Sequence, residues 1–470
     1  MSAFKRVLKN SAYVFSSKTL SRLVYTGFVV YAASRLGPAA FGALSFALVM
    51  VELASAIGDM GLTRYGSREL VRSWADRARL SGIILVLEIL TSMVFSLGGV
   101  LIVLLASPSS PQRELLLLGM VPVFLSGFVN TAESLFIASE NFFSASLFNF
   151  LGRIIFVAAG FAVLSRGGSP MAVMWGFTAG VVAESLLRLF YVSLKLTRFS
   201  FRFPAAAVSS MLLKALPFAT AAAASIAFLQ VGVVVLRLLE DDTAVGVFNM
   251  ANVLFIPFVW ISVTLGRTIF PSFVSQHAAD EPAARASTWQ WHRFMALSGI
   301  PVAVLVSFLA APVLSHFSSY AGSAAALTIL IWSLPLMMIS SVDFNVLQVV
   351  NLERAASRAL ILTTLATIIL SVAFILPWGI RGAALATLAG SMIRFLQFHY
   401  LVRKYFTGKG MLELLLRPVA AGAVMAGVIY LLGGFNIWLA AVIGSGAYVA
   451  VVLASGAVRI AELKTLAGRA

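Results

Sequence analysis

The sequence predicts an all-α polytopic membrane protein with about 14 transmembrane helices, and three observations carry that expectation. Hydrophobic residues fill 60% of the 470 positions, charged residues only 11%, and the mean hydropathy is +0.97. That balance lies outside the range of soluble domains and makes lipid the main solvent. Apolar runs of span length recur along the whole chain, and roughly 30 to 35 residues per span and loop give about 13 to 15 spans, with nothing left for a soluble domain. The basic residues, finally, sort to alternate connections.

Taken in order, apolar runs bounded by charge or turn residues place helices at about 14–34, 41–63, 80–105, 115–138, 146–165, 170–194, 211–236, 244–274, 294–314, 323–350, 357–376, 381–402, 412–432 and 436–456. The first run is interrupted by Lys18 and Arg22 and lacks a small-residue cleavage site after a compact apolar core, so it reads as a retained span and not a signal peptide. Lys5, Arg6 and Lys9 precede it, Arg64 to Arg79 follow the second helix, and Lys195 to Lys214 separate the sixth from the seventh. Arg285 and Arg293, Arg354 and Arg358, Arg403 to Arg417, and Arg459 to Arg469 close the later even-numbered helices. The opposite connections hold only Arg35, Arg113, Arg166, Arg237 and Arg381. Five further arginines (Arg22, Arg153, Arg188, Arg267 and Arg394) fall inside spans, leaving 24 of the 34 basic residues on one side. By the positive-inside rule that side is cytoplasmic and both termini lie there.

The net charge of +16 therefore marks a membrane face, and no nucleic-acid partner is expected. Without cysteine there is no disulfide, thiolate nucleophile or thiolate metal site. His277, His292, His316 and His399 lack the i, i+4 spacing of a metal site and read as snorkelling or loop residues, so neither metal nor cofactor is expected. Every outer loop is short, and the most acidic, Glu240-Asp241-Asp242, is a tight turn. A membrane glycosyltransferase or polymerase would need a loop-borne acid, base or cation-binding constellation, so the chain is expected not to be an enzyme.

An internal repeat is visible: the segment from Leu36 to Ala47 lies over that from Glu240 to Ala251 at an offset of 204 residues. In both, a turn leads through a glycine (Gly42, Gly246) into a helix bearing small residues. The offset spans six helices, an even number, so the halves share one orientation about an axis along the membrane normal. The expected organisation is an N-terminal lobe over 1–205 (helices 1 to 6), a C-terminal lobe over 206–410 (helices 7 to 12), and helices 13 and 14 with a cytoplasmic tail over 411–470.

Leu36-Gly37-Pro38-Ala39-Ala40-Phe41-Gly42, Asp59-Met60-Gly61-Leu62 with Arg64 to Leu70, Val245-Gly246-Val247-Phe248-Asn249-Met250-Ala251 and Phe270-Pro271-Ser272-Phe273 resemble the polysaccharide biosynthesis, Wzx-type oligosaccharide flippases of the multidrug/oligosaccharidyl-lipid/polysaccharide (MOP) exporter superfamily. The resemblance covers essentially the whole chain. It implies two six-helix lobes in a V around a central cavity, two extra C-terminal helices, and export of an undecaprenyl-diphosphate-linked oligosaccharide across a bacterial or archaeal cytoplasmic membrane by alternating access. Implied partners are that lipid-linked oligosaccharide, membrane lipid, and a polysaccharide polymerase with its chain-length machinery.

Arg22, Arg153, Arg267 and Arg394 are the candidates for binding the diphosphate and sugar. Each uncompensated charge at mid-bilayer costs roughly 2.5 to 3.5 kcal/mol, so the four would cost on the order of 10 kcal/mol, comparable with the stability of a domain. An anionic substrate in a wet cavity would offset that cost, and planar guanidinium forks suit a diphosphate; the competing reading is snorkelling to the inner interface. Glu184 and Arg188, four apart in helix 6 with the acid first, form a self-neutralising pair or a gate that makes and breaks. Glu52 and Asp59 share one face of helix 2, and Glu88, Glu133 and Asp343 add acids on helices 3, 4 and 10. Some must partner the arginines; a carboxyl that takes up a proton is the other solution, and one a coupled transporter uses. Asp343, with Asn345 and Gln348 near it, leads as ion or proton site, while Asp59 reads as the cap of a cytoplasmic turn. Pro217, Pro257, Pro271, Pro301 and Pro335 would kink spans or set hinges.

Three rivals to the oligosaccharide flippase stay open: a lipid II-type peptidoglycan-precursor flippase, a cation-coupled multidrug exporter with an acidic and aromatic cavity, and a non-transporting scaffold, which leaves the arginines unexplained.

Overall fold

The computed structural model describes residues 22–106, 110–202, 204–279, 281–403 and 411–456, and among these there is no strand. The helices are α1 (22–36), α2 (Pro38–Gly58), α3 (Leu62–Arg72), α4 (Arg77–Ala106), α5 (Ser110–Ala138), α6 (Phe142–Leu164), α7 (Pro170–Tyr191), α8 (Ala205–Leu239), α9 (Asp242–Ala279), α10 (Glu281–Leu314), α11 (Gly322–Leu330), α12 (Ser333–Val349), α13 (Glu353–Val402), α14 (Met411–Gly433) and α15 (Ile437–Ala454). Twelve stretches among the described residues are long and apolar enough to cross a membrane.

The fifty-residue stretch α13 holds two of the expected spans. Gly379 has φ 52° and ψ −125°, a combination open to glycine and strained for other residues. The chain reverses there: the Thr363 hydroxyl donates to Gln397 Oε1 at 2.9 Å, across 34 positions. The helices expected at 357–376 and 381–402 are thus the arms of a hairpin. Conversely, the run expected as one helix at 323–350 is α11 and α12, with a break at Ile331 and Trp332. The start of the helix expected at 14–34 lies outside the described residues.

The chain divides into two compact units, Met1–Val253 and Leu254–Ala470. In the first, α2 packs on α4, α5 and α8, and α7 packs on α5 and α6. The second expected helix was to run to residue 63, but α2 ends at Gly58. Asp59 stops it: its carboxylate accepts from the Gly61 and Thr63 amides at 3.1 and 3.0 Å and from the Thr63 hydroxyl, capping α3 as expected for this residue. The segment read as a basic connection is therefore helical. In α3, Leu62, Tyr65 and Leu70 are buried with Ile83, Ile84, Leu135 and Phe136, while Arg64, Arg68 and Arg72 are exposed.

The two segments matched by the sequence repeat touch. A Cβ on Gly42 would sit 1.7 Å from the Asp242 carbonyl oxygen and 2.8 Å from the Gly246 nitrogen; one on Gly246 would sit 2.0 Å from the Pro38 carbonyl oxygen and 3.1 Å from the Gly42 nitrogen. Only glycine at both positions allows this approach. One turn on, Asn249 Nδ2 donates to the Ser45 hydroxyl at 2.8 Å, and these residues are again 204 apart. Each residue meets its counterpart's neighbourhood, the reciprocity of a local two-fold contact.

In the second unit, α10 packs on α11, α12, α14 and α15, α12 on the α13 hairpin, and α14 on α15. Pro301 and Pro312 lie inside α10, as Pro217 lies inside α8. Across both units, large apolar side chains remain exposed on the spans, among them Leu97, Leu101 and Leu105 along one face of α4. No water-facing helix would present such a stripe; acyl chains cover it.

Candidate functional site

In the first unit α1, α2, α6 and α8 bring polar groups together. Glu52 on α2 accepts from Gln230 Nε2 on α8 at 2.7 Å. The Arg153 guanidinium on α6 lies 5.2 Å from the ring centroid of Tyr25 on α1, a cation–π contact that orients it. Arg22, one turn before Tyr25, acts electrostatically on both Tyr25 and Glu52, as does Arg153. An aromatic wall of Phe28 and Phe177, each packed against Phe156 at 5.1 and 5.4 Å, backs the cluster.

Two features give this cluster chemical meaning. Arg22, Tyr25 and Arg153 are partly accessible and Glu52 is exposed, although Glu52 and Arg153 lie on helices long and apolar enough to cross a membrane. Two guanidiniums against one carboxylate also leave a positive charge among the three named groups. The arrangement suits an anion with paired oxygen acceptors, because each guanidinium donates paired hydrogen bonds in a plane. Of the four candidate arginines the structure unites these two. Arg394 lies on the second arm of α13 and Arg267 on α9, both in the second unit, and the Arg267 side chain is outside the described residues.

The other candidates are occupied in distinct ways. Arg188, 3% exposed on α7, donates to Glu133 Oε2 of α5 at 2.6 Å and to the Ala145 carbonyl at 3.3 Å, and pairs with Glu184 Oε1 at 2.8 Å. The expected pair is thus a triad, with two carboxylates for one guanidinium and Asn149 Nδ2 donating to Glu184 at 3.2 Å. Glu88, fully buried on α4, accepts from Asn130 Nδ2 at 3.3 Å and lies within reach of Asp59 and Thr63. Gln397 next to Arg394 bonds Thr363, and His399 stacks on Phe395 with ring centroids 6.0 Å apart.

One reading is corrected. His292 is no loop or snorkelling residue: it is fully buried on α10, its Nε2 2.7 Å from Asp343 Oδ1 of α12. The polar segment with Glu281, Arg285 and Arg293, before the apolar run that begins at 294, reads as a connection from sequence, yet α10 extends through it. Gln230 was missed as well, since an amide within an apolar run carries no periodic signal.

The fold and the apolar spans define a class, the multi-pass helical membrane proteins. The same fold is found in the structure described as "Lipid II flippase MurJ, inward closed conformation", with 16% identity, coverage of 93% of this chain and 97% of that one, and a TM-score of 0.76. It is also found in a multidrug resistance MATE family transporter of the MOP superfamily, inward-facing, with 13% identity, 84% and 98% coverage and a TM-score of 0.69. A MOP superfamily transporter from Pyrococcus furiosus matches at 16% identity, 84% and 94% coverage and a TM-score of 0.54. No curated protein sequence matches. A family model described as "Polysaccharide biosynthesis protein" matches residues 7–277, more than half of the chain, and the protein belongs to that family.

Proposed function

We propose that the protein flips an undecaprenyl-diphosphate-linked oligosaccharide, the repeat unit of an O-antigen, capsule or exopolysaccharide, from the cytoplasmic to the outer leaflet of a bacterial or archaeal cytoplasmic membrane. The observation that carries this reading is the accessible Arg22–Arg153–Glu52 cluster, with Glu52 and Arg153 on helices apolar enough to cross a membrane. The diphosphate binds the guanidiniums, Glu52 and Gln230 offer acceptor and donor groups to sugar hydroxyls, and the polyprenyl chain stays in lipid. Arg267 and Arg394 complete the anion path, and Asp343 couples an ion. The lobes 1–205 and 206–410, with 411–470 appended and both termini cytoplasmic, move by alternating access.

A second reading, flipping of a lipid II-type peptidoglycan precursor, is favoured by the shared fold of the Lipid II flippase. A multidrug exporter fits less well, since two arginines beside Glu52 repel organic cations. Replacing Arg22 or Arg153 by alanine should abolish surface polysaccharide export at unchanged abundance in the membrane. Normal export in both variants would refute the assignment; loss of peptidoglycan synthesis with polysaccharide intact would select the second reading.

A further inference from the structure

Asp343 and His292 form a sealed ionisable pair that no apolar packing requirement explains. Both are fully buried, on α12 and α10 of the second unit. His292 Nδ1 lies 2.7 Å from the Thr288 carbonyl oxygen and Nε2 lies 2.7 Å from Asp343 Oδ1. A carbonyl oxygen can only accept, so Nδ1 carries a hydrogen and the second ring nitrogen faces the carboxyl. One proton must then occupy the Nε2–Oδ1 contact, on the carboxyl with a neutral ring or on the ring beside a carboxylate. In either form the pair is neutral. Without that proton a lone pair and a carboxylate would face each other in an apolar interior, which costs far more than a buried neutral pair.

The surroundings hold the pair in place. Asp343 Oδ2 is buried and makes no hydrogen bond. Asn345 Nδ2, two residues on, donates to the Gly266 carbonyl at 2.8 Å, tying α12 to α9. His399 on α13 is a further titratable group within electrostatic reach of both partners. Among the other elements packed here, α11 carries no titratable residue, Arg417 of α14 is exposed, and the Tyr448 hydroxyl of α15 donates to the Leu297 carbonyl. Arg293 follows His292 on α10.

We propose that Asp343 and His292 are a proton-binding site whose single proton is exchanged only when α10 and α12 part, so that proton release is tied to a conformational change of the second unit. The inference rests on the transporter reading and supplies its coupling ion. The proton moves as such: the Nε2–Oδ1 hydrogen passes to water once the contact opens, leaving a neutral imidazole and a carboxylate, and no other bond forms or breaks.

The test uses full-length protein in phosphatidylethanolamine–phosphatidylglycerol liposomes on a solid-supported membrane, in sodium-free choline buffer and without oligosaccharide. A jump in proton concentration should give a transient current in the wild type. In Asp343→Asn and in His292→Gln, which keeps a donor and an acceptor, it should fall to the level of protein-free liposomes, each variant being scored as protein that elutes as a single species. The proposal is overturned by a wild type without a transient, by a transient that follows sodium and not protons, or by one that persists in either folded variant. With no oligosaccharide present, failure of the substrate assignment leaves this readout untouched.

Discussion

Replacing Arg188 by methionine tests whether the triad on α5 and α7 is a structural staple. The change keeps an unbranched stem and removes the guanidinium that meets carboxylates at 2.6 and 2.8 Å and the Ala145 carbonyl at 3.3 Å. Removing one partner of a buried pair costs about 3 to 5 kcal/mol because a charge is left uncompensated. The side chain of Glu133 is 32% accessible and relaxes by hydration, whereas that of Glu184 is 11% accessible and keeps only Asn149 as a donor. The loss should therefore fall near the lower end, about 3 kcal/mol, or on the order of 100-fold in the unfolding equilibrium. A denaturant titration in mixed micelles, followed by tryptophan fluorescence, measures it. The triple variant Arg188→Met, Glu133→Gln, Glu184→Gln removes the stranded charges and should recover most of the loss. Either a single variant as stable as the wild type or a triple variant no better than the single refutes the reasoning. A stable triple variant that has lost export would instead assign the triad to gating.

Three further outcomes are expected. Asp59→Ala removes the acceptor of the Gly61 and Thr63 amides and should cost about 1 kcal/mol, read as faster hydrogen exchange confined to the first turns of α3. The chain has no cysteine, so Ser45→Cys with Asn249→Cys places two thiols where side chains now touch at 2.8 Å. Oxidation should form a disulfide and stop export, and a reductant should restore it; full export by the oxidised pair argues against separation of α2 and α9 during transport. Gly42→Leu drives a side chain into the Asp242 carbonyl and should destabilise by about 1 to 3 kcal/mol, measured by the same titration; a value near zero would mean the close contact is not maintained.

Much of this was legible from the chain alone because membrane insertion is written in local composition. Span-length apolar runs, the sorting of arginines and the positions of in-span charges need no knowledge of neighbours. The repeat was visible as well, and its glycines prove to be the points of closest approach between the matched segments. Less legible were features set by backbone dihedrals: the end of α2 at Gly58, five residues short of where its apolar run ends, and the division of α11 from α12, which hydropathy reads as one span.

Partnership was decided by tertiary structure. Hydropathy identifies Glu52 as a carboxylate within a span, but only packing brings it to Gln230, 178 positions away, and within the field of Arg22 and Arg153. Arg188 looked self-sufficient beside Glu184 until α5 supplied Glu133. His292 looked like a surface residue until α12 covered it with Asp343. The sequence by itself determined that charges enter the membrane, since the cost of burying a charge depends on where its helix lies. Which charges stay accessible and which are sealed in pairs was left to tertiary structure, since that depends on helix contacts no local pattern encodes.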